Sequence, residues 1–299
     1  MKDLIGIKEL SRQDIEEILN TAKAFKEVLG RDIKKVPTLR GKTAINLFFE
    51  PSTRTRTSFE LAEKRLSLDV LNFSVGTSSV VKGETLYDTL KTIEAYNVDY
   101  IVIRHSCSGS AKFVAEHTPA SVINAGDGTN EHPTQALLDA FSILEVKGRL
   151  DGLKIAIVGD IIHSRVARSN LYLLSKFDTE IRFIGPPTLL PVENPDNVKI
   201  FYDLKEGLKD VDVVMLLRIQ LERQNAAYIP SLKEYFKIWG MKKESFSYLK
   251  DDAIIMHPGP MNRGVEIATE VADSSRSIIL RQVTNGIATR MAVIYLLTS

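Results

Sequence analysis

Apolar positions along the chain follow two patterns, a helical period and short continuous runs. Residues 12–29 carry apolar side chains every three or four positions, which predicts an amphipathic helix that ends at Gly30. Beyond it, short apolar runs such as 43–49 and 100–103 are separated by segments with helical periodicity. Strands that alternate with helices predict βαβ units with parallel strands, and the functional loops of such sheets lie at the carboxyl ends of the strands.

The alternation of strands and helices occurs twice, which predicts two domains. The first series of predicted strands comprises residues 43–49, 69–74, 100–103 and 121–124. The second series comprises residues 154–158, 180–184, 198–201, 211–216 and 253–256. We therefore predict an α/β fold in which each domain is a mainly parallel sheet flanked by helices, with the first domain at residues 1–134 and the second at 135–284.

Composition and charge limit the classes of function. The chain has 299 residues, of which 44% are hydrophobic, so it can bury the cores of two ordinary domains. Its formal net charge is +1, which gives no overall basic field for nucleic acid. No apolar run approaches the roughly 20 residues needed to cross a bilayer, and Cys107 is the single cysteine. These features predict a cytoplasmic protein without disulfides that binds neither nucleic acid nor membrane.

The strongest local chemistry follows the first apolar run of the sheet. Pro51 predicts a turn there, and Ser52 or Thr53 then caps a helix whose first turn carries hydroxyl groups and Arg54. Backbone N–H groups at a helix N-terminus, hydroxyl donors and a guanidinium together suit a phosphate dianion. The alternative is a capped surface helix whose arginines lie in water. Two arginines packed among Ser and Thr hydroxyls at a strand-to-helix turn favour the anion site.

Two further segments lie at the ends of predicted strands. Arg104 directly follows the strand at 100–103, so the anion at the Ser52 turn is a natural partner, and the alternative is a surface ion pair of little consequence. After the strand at 253–256, the segment 257–264 contains two prolines and two glycines, so carbonyl oxygens are the main groups that it offers. Such a loop suits a ligand with an amide NH2 group.

Motifs in the same order along the whole chain carry a resemblance to a known family. They are Pro-Ser-Thr-Arg-Thr-Arg-Thr-Ser-Phe at 51–59, Lys-Gly-Glu-Thr at 82–85, His-Pro-Thr-Gln at 132–135, Gly-Asp with His-Ser-Arg at 159–165, Arg-Ile-Gln-Leu-Glu-Arg at 218–223 and His-Pro-Gly-Pro at 257–260. The first resembles the carbamoyl phosphate signature of the transcarbamoylases, and the others are similar to the aspartate transcarbamoylases. The resemblance also implies that residues 285–299 form a helix that returns to the first domain.

The resemblance implies that the first domain binds carbamoyl phosphate. The residues that it assigns to this ligand are Ser52, Thr53, Arg54, Thr55, Arg104, His132, Gln135, Pro258 and Gly259. His132, with Thr55 and Arg104, would donate hydrogen bonds to the carbamoyl oxygen, and Gln135 would bind the carbamoyl amide. The backbone oxygens of Pro258 and Gly259 would accept hydrogen bonds from the carbamoyl NH2.

The second domain is implied to bind L-aspartate. The residues that the resemblance assigns to this ligand are Lys82, Arg165, Arg218 and Gln220. From composition alone, the small polar segment around Lys82 predicts a solvated mobile loop. The resemblance implies instead that Ser78 and Lys82 reach the active site of a neighbouring chain, so that a homotrimer has its active sites at chain interfaces. The groups implied in catalysis are Arg54, Thr55, Lys82, Arg104 and His132.

The activity that the resemblance implies is transfer of the carbamoyl group of carbamoyl phosphate to the amino group of L-aspartate, giving N-carbamoyl-L-aspartate and phosphate, in de novo pyrimidine biosynthesis. It implies no metal or cofactor, and association with regulatory chains or dihydroorotase stays open. An ornithine or related amino-acid transcarbamoylase is the nearest alternative, but it would carry His-Cys-Leu-Pro where this chain has His-Pro-Gly-Pro. A non-catalytic anion-binding subunit would be expected to lack Arg54, His132 or Lys82, and all three are present.

Overall fold

The computed structural model describes residues 1–74, 84–219 and 228–297. The chain divides into two compact units. The first unit comprises Met1–Phe141 and Thr284–Ser299, and the second unit comprises Ser142–Val283. The predicted α/β class with two parallel-sheet domains is confirmed. We also predicted that the first domain binds carbamoyl phosphate and the second binds L-aspartate, and the division into two units does not test that prediction.

The first unit is built on a four-stranded parallel sheet. Its strands are β1 (Thr43–Phe48), β2 (Asp69–Ser74), β3 (Tyr100–His105) and β4 (Ser121–Asp127), in the spatial order β2-β1-β3-β4. Its helices are α1 (Arg12–Leu29), α2 (Thr53–Arg65), α3 (Leu86–Glu94) and α4 (Ser110–Glu116), followed by α5 (Pro133–Lys147), in which the division falls. One face of the sheet packs its aliphatic side chains against α3 and α4, with Ile45, Ile101 and Val122 in this core.

The last helix, α10 (Ile279–Leu296), brings the chain back to the first unit. It contacts α1 through the Phe25 and Tyr295 rings, which meet edge to face with centroids 5.7 Å apart, and through a hydrogen bond that Lys26 Nζ donates to Asn285 Oδ1. The predicted return of the C-terminal helix is therefore confirmed. The helix begins earlier than the residue 285 that the resemblance implied, and Ile278 and Ile279 are buried at its start.

The second unit is built on a five-stranded parallel sheet. Its strands are β5 (Lys154–Val158), β6 (Glu180–Ile184), β7 (Val198–Phe201), β8 (Val213–Leu216) and β9 (Ile254–Met256), in the spatial order β7-β6-β5-β8-β9. Its helices are α6 (Arg165–Leu174), α7 (Leu204–Leu208), α8 (Leu232–Trp239) and α9 (Thr269–Ala272), with 3-10 turns at Pro187–Leu189 and Lys243–Tyr248. Buried aliphatic residues such as Val158, Leu216 and Ile255 form its core.

Each sheet has a point at which the strand order reverses. In the first unit it lies between β1 and β3, and in the second between β5 and β8. Open parallel sheets bind ligands outside the carboxyl ends of the strands at such a point. Among the described residues, no helix is long and apolar enough to cross a membrane. The same residues contain no group of three or more His, Cys, Asp or Glu side chains placed to hold a metal ion.

Candidate active site

In the first unit, the arginine-rich turn and Arg104 leave the sheet side by side. Phe48 at the end of β1 is in register with Arg104 on β3, and the Phe49 N–H donates to the Arg104 carbonyl at 2.8 Å. The turn that follows Phe49 therefore begins next to Arg104. This pairing places both predicted anion-binding elements at the point where the strand order reverses, whereas the sequence predicted only that they lie at the carboxyl ends of strands.

The N-terminus of α2 begins without a side-chain cap. Ser52 is the N-cap residue, in agreement with the sequence, but its side chain makes no capping hydrogen bond to the helix, and the first turn contains no acidic residue. Thr53 and Arg54 are exposed, and Thr55 is half-buried. The first N–H groups of this helix and the Ser52 hydroxyl are not used for capping. Because a helix N-terminus is also the positive end of the helix dipole, this turn suits an anion.

Arg104 is held in place by two neighbours rather than lying on the surface. Its Nη1 donates to the Ala125 carbonyl at 3.2 Å, and its Nε lies 3.3 Å from Glu50 Oε2. The Arg104 side chain is only 12% exposed. The alternative of an inconsequential surface pair does not fit this burial, because solvent screening is reduced there.

A buried carboxylate, Asp127, organises the turn that leads to His132. Its Oδ1 accepts from the Glu131 N–H at 3.1 Å, and its Oδ2 accepts from the Gly109 N–H at 2.7 Å. Glu131 in turn accepts the Ile7 N–H at 2.8 Å, which ties the N-terminal segment to the same turn. His132 is 4% exposed, immediately before α5. These contacts fix the backbone that carries the imidazole.

Gln135 lies in the first turn of α5, close in sequence to His132. Its side chain is nearly buried, and its Nε2 donates to Asp139 Oδ1 at 2.9 Å. The Gln135 N–H donates to the His132 carbonyl at 2.9 Å, which begins the helix. The predicted residues thus lie at the carboxyl ends of three strands in one sheet: Ser52–Thr55 after β1, Arg104 near the end of β3, and His132 and Gln135 after β4.

In the second unit, Arg165 and Arg218 follow the two strands at which the order reverses. Arg165 is the first residue of α6 after β5 and is 4% exposed, and Arg218 follows β8 and is half-buried. The Leu217 N–H donates to the Val158 carbonyl at 2.8 Å, so the exits of the two strands are adjacent. Gly159 allows this close approach, because it has φ +127° and a Cβ there would lie 3.2 Å from Leu217 Cβ. Arg165 and Arg218 therefore follow adjacent strand ends at the same edge of the sheet.

The loop after β9 is held to a buried histidine, His257. The Gly259 N–H donates to His257 Nδ1 at 2.8 Å, so His257 carries its proton on Nε2, which lies 3.1 Å from Glu266 Oε1. Both side chains are almost completely buried. Because the N–H and C=O of one trans peptide point in opposite directions, fixing the Gly259 N–H on His257 turns the Pro258 carbonyl away from it.

Three predicted site residues cannot be placed. Ser78, Lys82 and Gln220 lie outside the residues that the structure describes. Their assignment to aspartate and to a neighbouring chain therefore stays a prediction.

Comparison with known proteins identifies the family. Residues 2–145 match the domain family described as "Aspartate/ornithine carbamoyltransferase, carbamoyl-P binding domain". Residues 151–297 match the domain family described as "Aspartate/ornithine carbamoyltransferase, Asp/Orn binding domain". An aspartate carbamoyltransferase catalytic subunit from Syntrophomonas wolfei is 57% identical over 99% of this chain and 95% of that protein. The chain belongs to the aspartate/ornithine carbamoyltransferase family.

Solved structures of this carbamoyltransferase family share the fold. The crystal structure of aspartate transcarbamoylase from Trypanosoma cruzi in complex with carbamoyl aspartate and phosphate has a TM-score of 0.91 and 32% identity, and covers 98% of this chain and 95% of that chain. The catalytic subunit of M. jannaschii aspartate transcarbamoylase has a TM-score of 0.86 and 38% identity, with 99% and 98% covered. The resemblance drawn from the sequence motifs is confirmed.

The carbamoyltransferase fold also contains buried carboxylates that the sequence analysis did not single out. Asp127 and Glu131 support the turn before His132, Asp139 binds Gln135, and Glu266 binds His257. The sequence contains a feature that could have identified one of these carboxylates, Asp139. Asp139 interrupts the apolar run Leu137, Leu138, Ala140, Phe141, where a charged residue needs a buried partner. The others follow only from the three-dimensional arrangement.

Proposed function

We propose that this chain transfers the carbamoyl group of carbamoyl phosphate to the amino group of L-aspartate, giving N-carbamoyl-L-aspartate and phosphate. The observation that carries the proposal is the placement of polar groups in the two sheets. One reversal point presents a helix start that favours phosphate, and the other presents two arginines that favour carboxylates. The relatives named aspartate carbamoyltransferase support it.

We assign carbamoyl phosphate to the first unit. Its phosphate is bound by the α2 start, through the Ser52, Thr53 and Thr55 hydroxyls, backbone N–H groups and Arg54. Arg104, Thr55 and His132 donate to the carbamoyl oxygen, and Gln135 binds the amide. The family description of residues 2–145 as a carbamoyl-P binding domain supports this assignment.

We assign L-aspartate to the second unit, whose family description names aspartate or ornithine. Arg165 and Arg218 provide positive charge for the two carboxylates, with Gln220 and Lys82 assisting. A cationic ornithine side chain would be repelled by two arginines at the same edge. Pro258 and Gly259 offer their carbonyl oxygens to the carbamoyl NH2.

The reaction needs no covalent intermediate with the protein. The neutral amine of aspartate attacks the carbamoyl carbon, the new C–N bond forms, and the C–O bond to phosphate breaks. Negative charge develops on the carbamoyl oxygen, where Arg104, Thr55 and His132 stabilise it, and on the leaving phosphate, where Arg54 does so. The leaving phosphate accepts the proton that the amine loses, so protons and charge balance.

A carbamoylation assay with aspartate and ornithine in parallel tests the function. We expect N-carbamoyl-L-aspartate and one phosphate per turnover with aspartate, and at least about a hundredfold lower kcat/KM with ornithine, because each mismatched charge is expected to cost roughly 3 kcal/mol or more in a partly buried site. Citrulline formation at a comparable rate would refute the choice of acceptor. Binding of carbamoyl phosphate without any transfer would favour the non-catalytic alternative.

We also propose a homotrimer in which Ser78 and Lys82 act in the active site of a neighbouring chain. Lys82→Ala and Arg54→Ala trimers should then each be almost inactive. A hybrid trimer of the two variants rebuilds one complete site at one interface, so it should recover up to about a third of wild-type activity by counting over a closed ring. No recovery in verified hybrids would remove Lys82 from a shared site. The name "catalytic subunit" of the relatives keeps regulatory chains or dihydroorotase as candidate partners, which co-purification tests.

A further inference from the structure

Two oppositely charged side chains are buried behind the His132 end of α5. Asp139 is completely buried, and Arg290 on α10 is only 4% exposed. Burial lowers the pKa of Arg290 to about 10, and the negative charge of Asp139 acts in the opposite direction. A buried charge is costly unless an opposite charge and hydrogen bonds compensate it. The negative charge of Asp139 therefore offsets part of the cost of burying Arg290.

Arg290 ties this charge pair to the helix that starts at the phosphate turn. Its Nη1 donates to Ser58 Oγ on α2 at 2.7 Å, and its guanidinium carbon lies 4.9 Å from the centroid of the Phe59 ring. Gly286, one turn earlier on α10, leaves room for the guanidinium, because a Cβ there would lie 2.7 Å from Nη1. Three helices of the first unit thus meet around one arginine.

Asp139 decides which end of the Gln135 amide is available to a ligand. Gln135 Nε2 donates to Asp139 Oδ1 at 2.9 Å. Because Asp139 Oδ1 accepts from Nε2, the NH2 end of the amide faces the carboxyl group and Oε1 is the end that faces another partner. A carbamoyl group presents an NH2 donor, which requires an acceptor. If the Gln135 amide were reversed, its NH2 group would face the NH2 group of the carbamoyl ligand, and neither could accept a hydrogen bond.

We propose that Asp139, balanced by Arg290, is the positioning residue that holds the Gln135 amide with its oxygen towards the carbamoyl NH2. The inference rests on the assignment of Gln135 to carbamoyl phosphate under the proposed function. Asp139 itself touches no substrate. Its contribution passes entirely through Gln135, and it acts on the carbamoyl end of the ligand rather than on the phosphate end.

A double-mutant cycle separates this role from a general effect on structure. Dissociation constants for carbamoyl phosphate and for inorganic phosphate are measured calorimetrically in wild type, Asp139→Asn, Gln135→Ala and the double variant. We expect Asp139→Asn to weaken carbamoyl phosphate binding about tenfold in the presence of Gln135 and less than about twofold in its absence. An Asn amide can present either its oxygen or its NH2 group to Gln135, so it no longer fixes one orientation of the Gln135 amide, and a tenfold change corresponds to about 1.4 kcal/mol. Inorganic phosphate binding should change less than about twofold by the same reasoning, since it lacks the carbamoyl group.

Two results of the double-mutant cycle would contradict the proposed role of Asp139. Coupling below about threefold between positions 135 and 139, or equal weakening for both ligands, would overturn the proposal. Thr289→Val is the matched control, because Thr289 is fully buried beside Arg290 on α10, and it should leave both constants unchanged. If Asp139→Asn does not fold, since it leaves Arg290 without its counter-charge, Asp139→Asn with Arg290→Met replaces it in the cycle under the same criterion.

The proposed function and this inference can fail separately. A wild-type protein that carbamoylates aspartate but shows no coupling refutes only the role of Asp139. A wild-type protein that binds inorganic phosphate but not carbamoyl phosphate refutes the proposed function itself, and with it the inference.

Discussion

The two units share a parallel-sheet architecture but differ at the start of the helix that follows the strand-order reversal, which is α2 in the first unit and α6 in the second. In the first unit, Ser52 precedes α2 and its side chain makes no capping hydrogen bond. In the second unit, Ser164 precedes α6 and its Oγ accepts the Ala167 N–H at 3.2 Å. The Ser52 hydroxyl is therefore not used as a helix cap, as the proposed anion site requires, whereas Ser164 satisfies an N–H group of its own helix.

This difference explains why the two edges suit different anions. A phosphate dianion is small and has several oxygens, so it matches converging backbone N–H groups and hydroxyls. Carboxylates separated along an amino acid need separate cationic side chains, and Arg165 and Arg218, which follow the adjacent strands β5 and β8, are the ones that we propose. The same topology thus carries a site formed by a helix start in one unit and a site formed by guanidinium groups in the other.

The largest expected effect follows from removing the guanidinium at the α2 start. Arg54→Ala should lower kcat by a hundredfold or more, because a charge-assisted contact to the leaving phosphate contributes roughly 3 kcal/mol or more in the transition state. Steady-state kinetics at saturating substrates measures the loss, and thermal unfolding should be unchanged because Arg54 is exposed. Arg56→Ala, two residues along the same helix, is the matched control. Near-normal turnover of Arg54→Ala would mean that α2 is an ordinary capped helix.

The next effect tests the two serines against each other. Ser52→Ala should weaken inorganic phosphate binding about tenfold, since a hydrogen bond to a charged group contributes about 1.5–3 kcal/mol, with little loss of stability. Ser164→Ala should instead lower the free energy of unfolding by about 1 kcal/mol, because it removes a helix cap, and leave phosphate binding unchanged. Calorimetry and urea unfolding of both variants measure the contrast. Identical behaviour of the two serines would remove the distinction between the helix starts.

A smaller effect concerns how α2 is fixed to its sheet. Glu63 on α2 is completely buried, and Asn46 Nδ2 on β1 donates to its Oε2 at 2.8 Å. Within the described part of the chain, Glu63 Oε1 and Asn46 Oδ1 have no hydrogen-bond partner. Burial raises the pKa of Glu63 from 4.5 to about 7. A protonated Glu63 can donate from Oε1 to Asn46 Oδ1, which would complete the pair.

The sign of the resulting pH dependence is fixed by the raised pKa. The folded protein holds the proton more tightly than the unfolded chain, so this contribution to stability is complete below pH 4.5 and is lost as the pH rises through about 7. The difference between these values corresponds to about 3 kcal/mol at most. Urea unfolding at pH 5 and pH 8 should show a decrease for wild type that exceeds the decrease for Glu63→Gln by about 2 kcal/mol. Equal decreases would show that Glu63 does not titrate in this range.

The sequence predicted the two sheets because their alternation of strands and helices is local. It also predicted that the candidate ligand-binding residues of the first unit lie at the carboxyl ends of strands, and the structure places Ser52, Arg104 and His132 at or after the ends of β1, β3 and β4. It predicted β4 too short, since Asn124–Asp127 has the composition of a turn although it continues the strand, with Asp127 in register with His105. There the polar side chains are satisfied by internal hydrogen bonds, such as that of Asn124 Nδ2 to Asp127 Oδ1.

Contacts between distant parts of the chain explain what the sequence could not predict. The dependence of Gln135 on Asp139 is local, but the balancing Arg290 comes from the last helix. Similarly, His257 is held by Glu266 and by Gln282, whose side chain accepts the His257 N–H at 3.0 Å. Periodicity reports which positions are buried and not which buried partners meet.

The central claim is that the first unit binds carbamoyl phosphate and the second unit binds aspartate. Calorimetric titration of wild type, Arg54→Ala and Arg218→Ala with carbamoyl phosphate alone tests it most directly. The account predicts that Arg54→Ala weakens binding at least about tenfold, while Arg218→Ala binds within about twofold of wild type and needs far more aspartate for turnover. Loss of carbamoyl phosphate binding in Arg218→Ala as large as that in Arg54→Ala would contradict the assignment of one ligand to each unit.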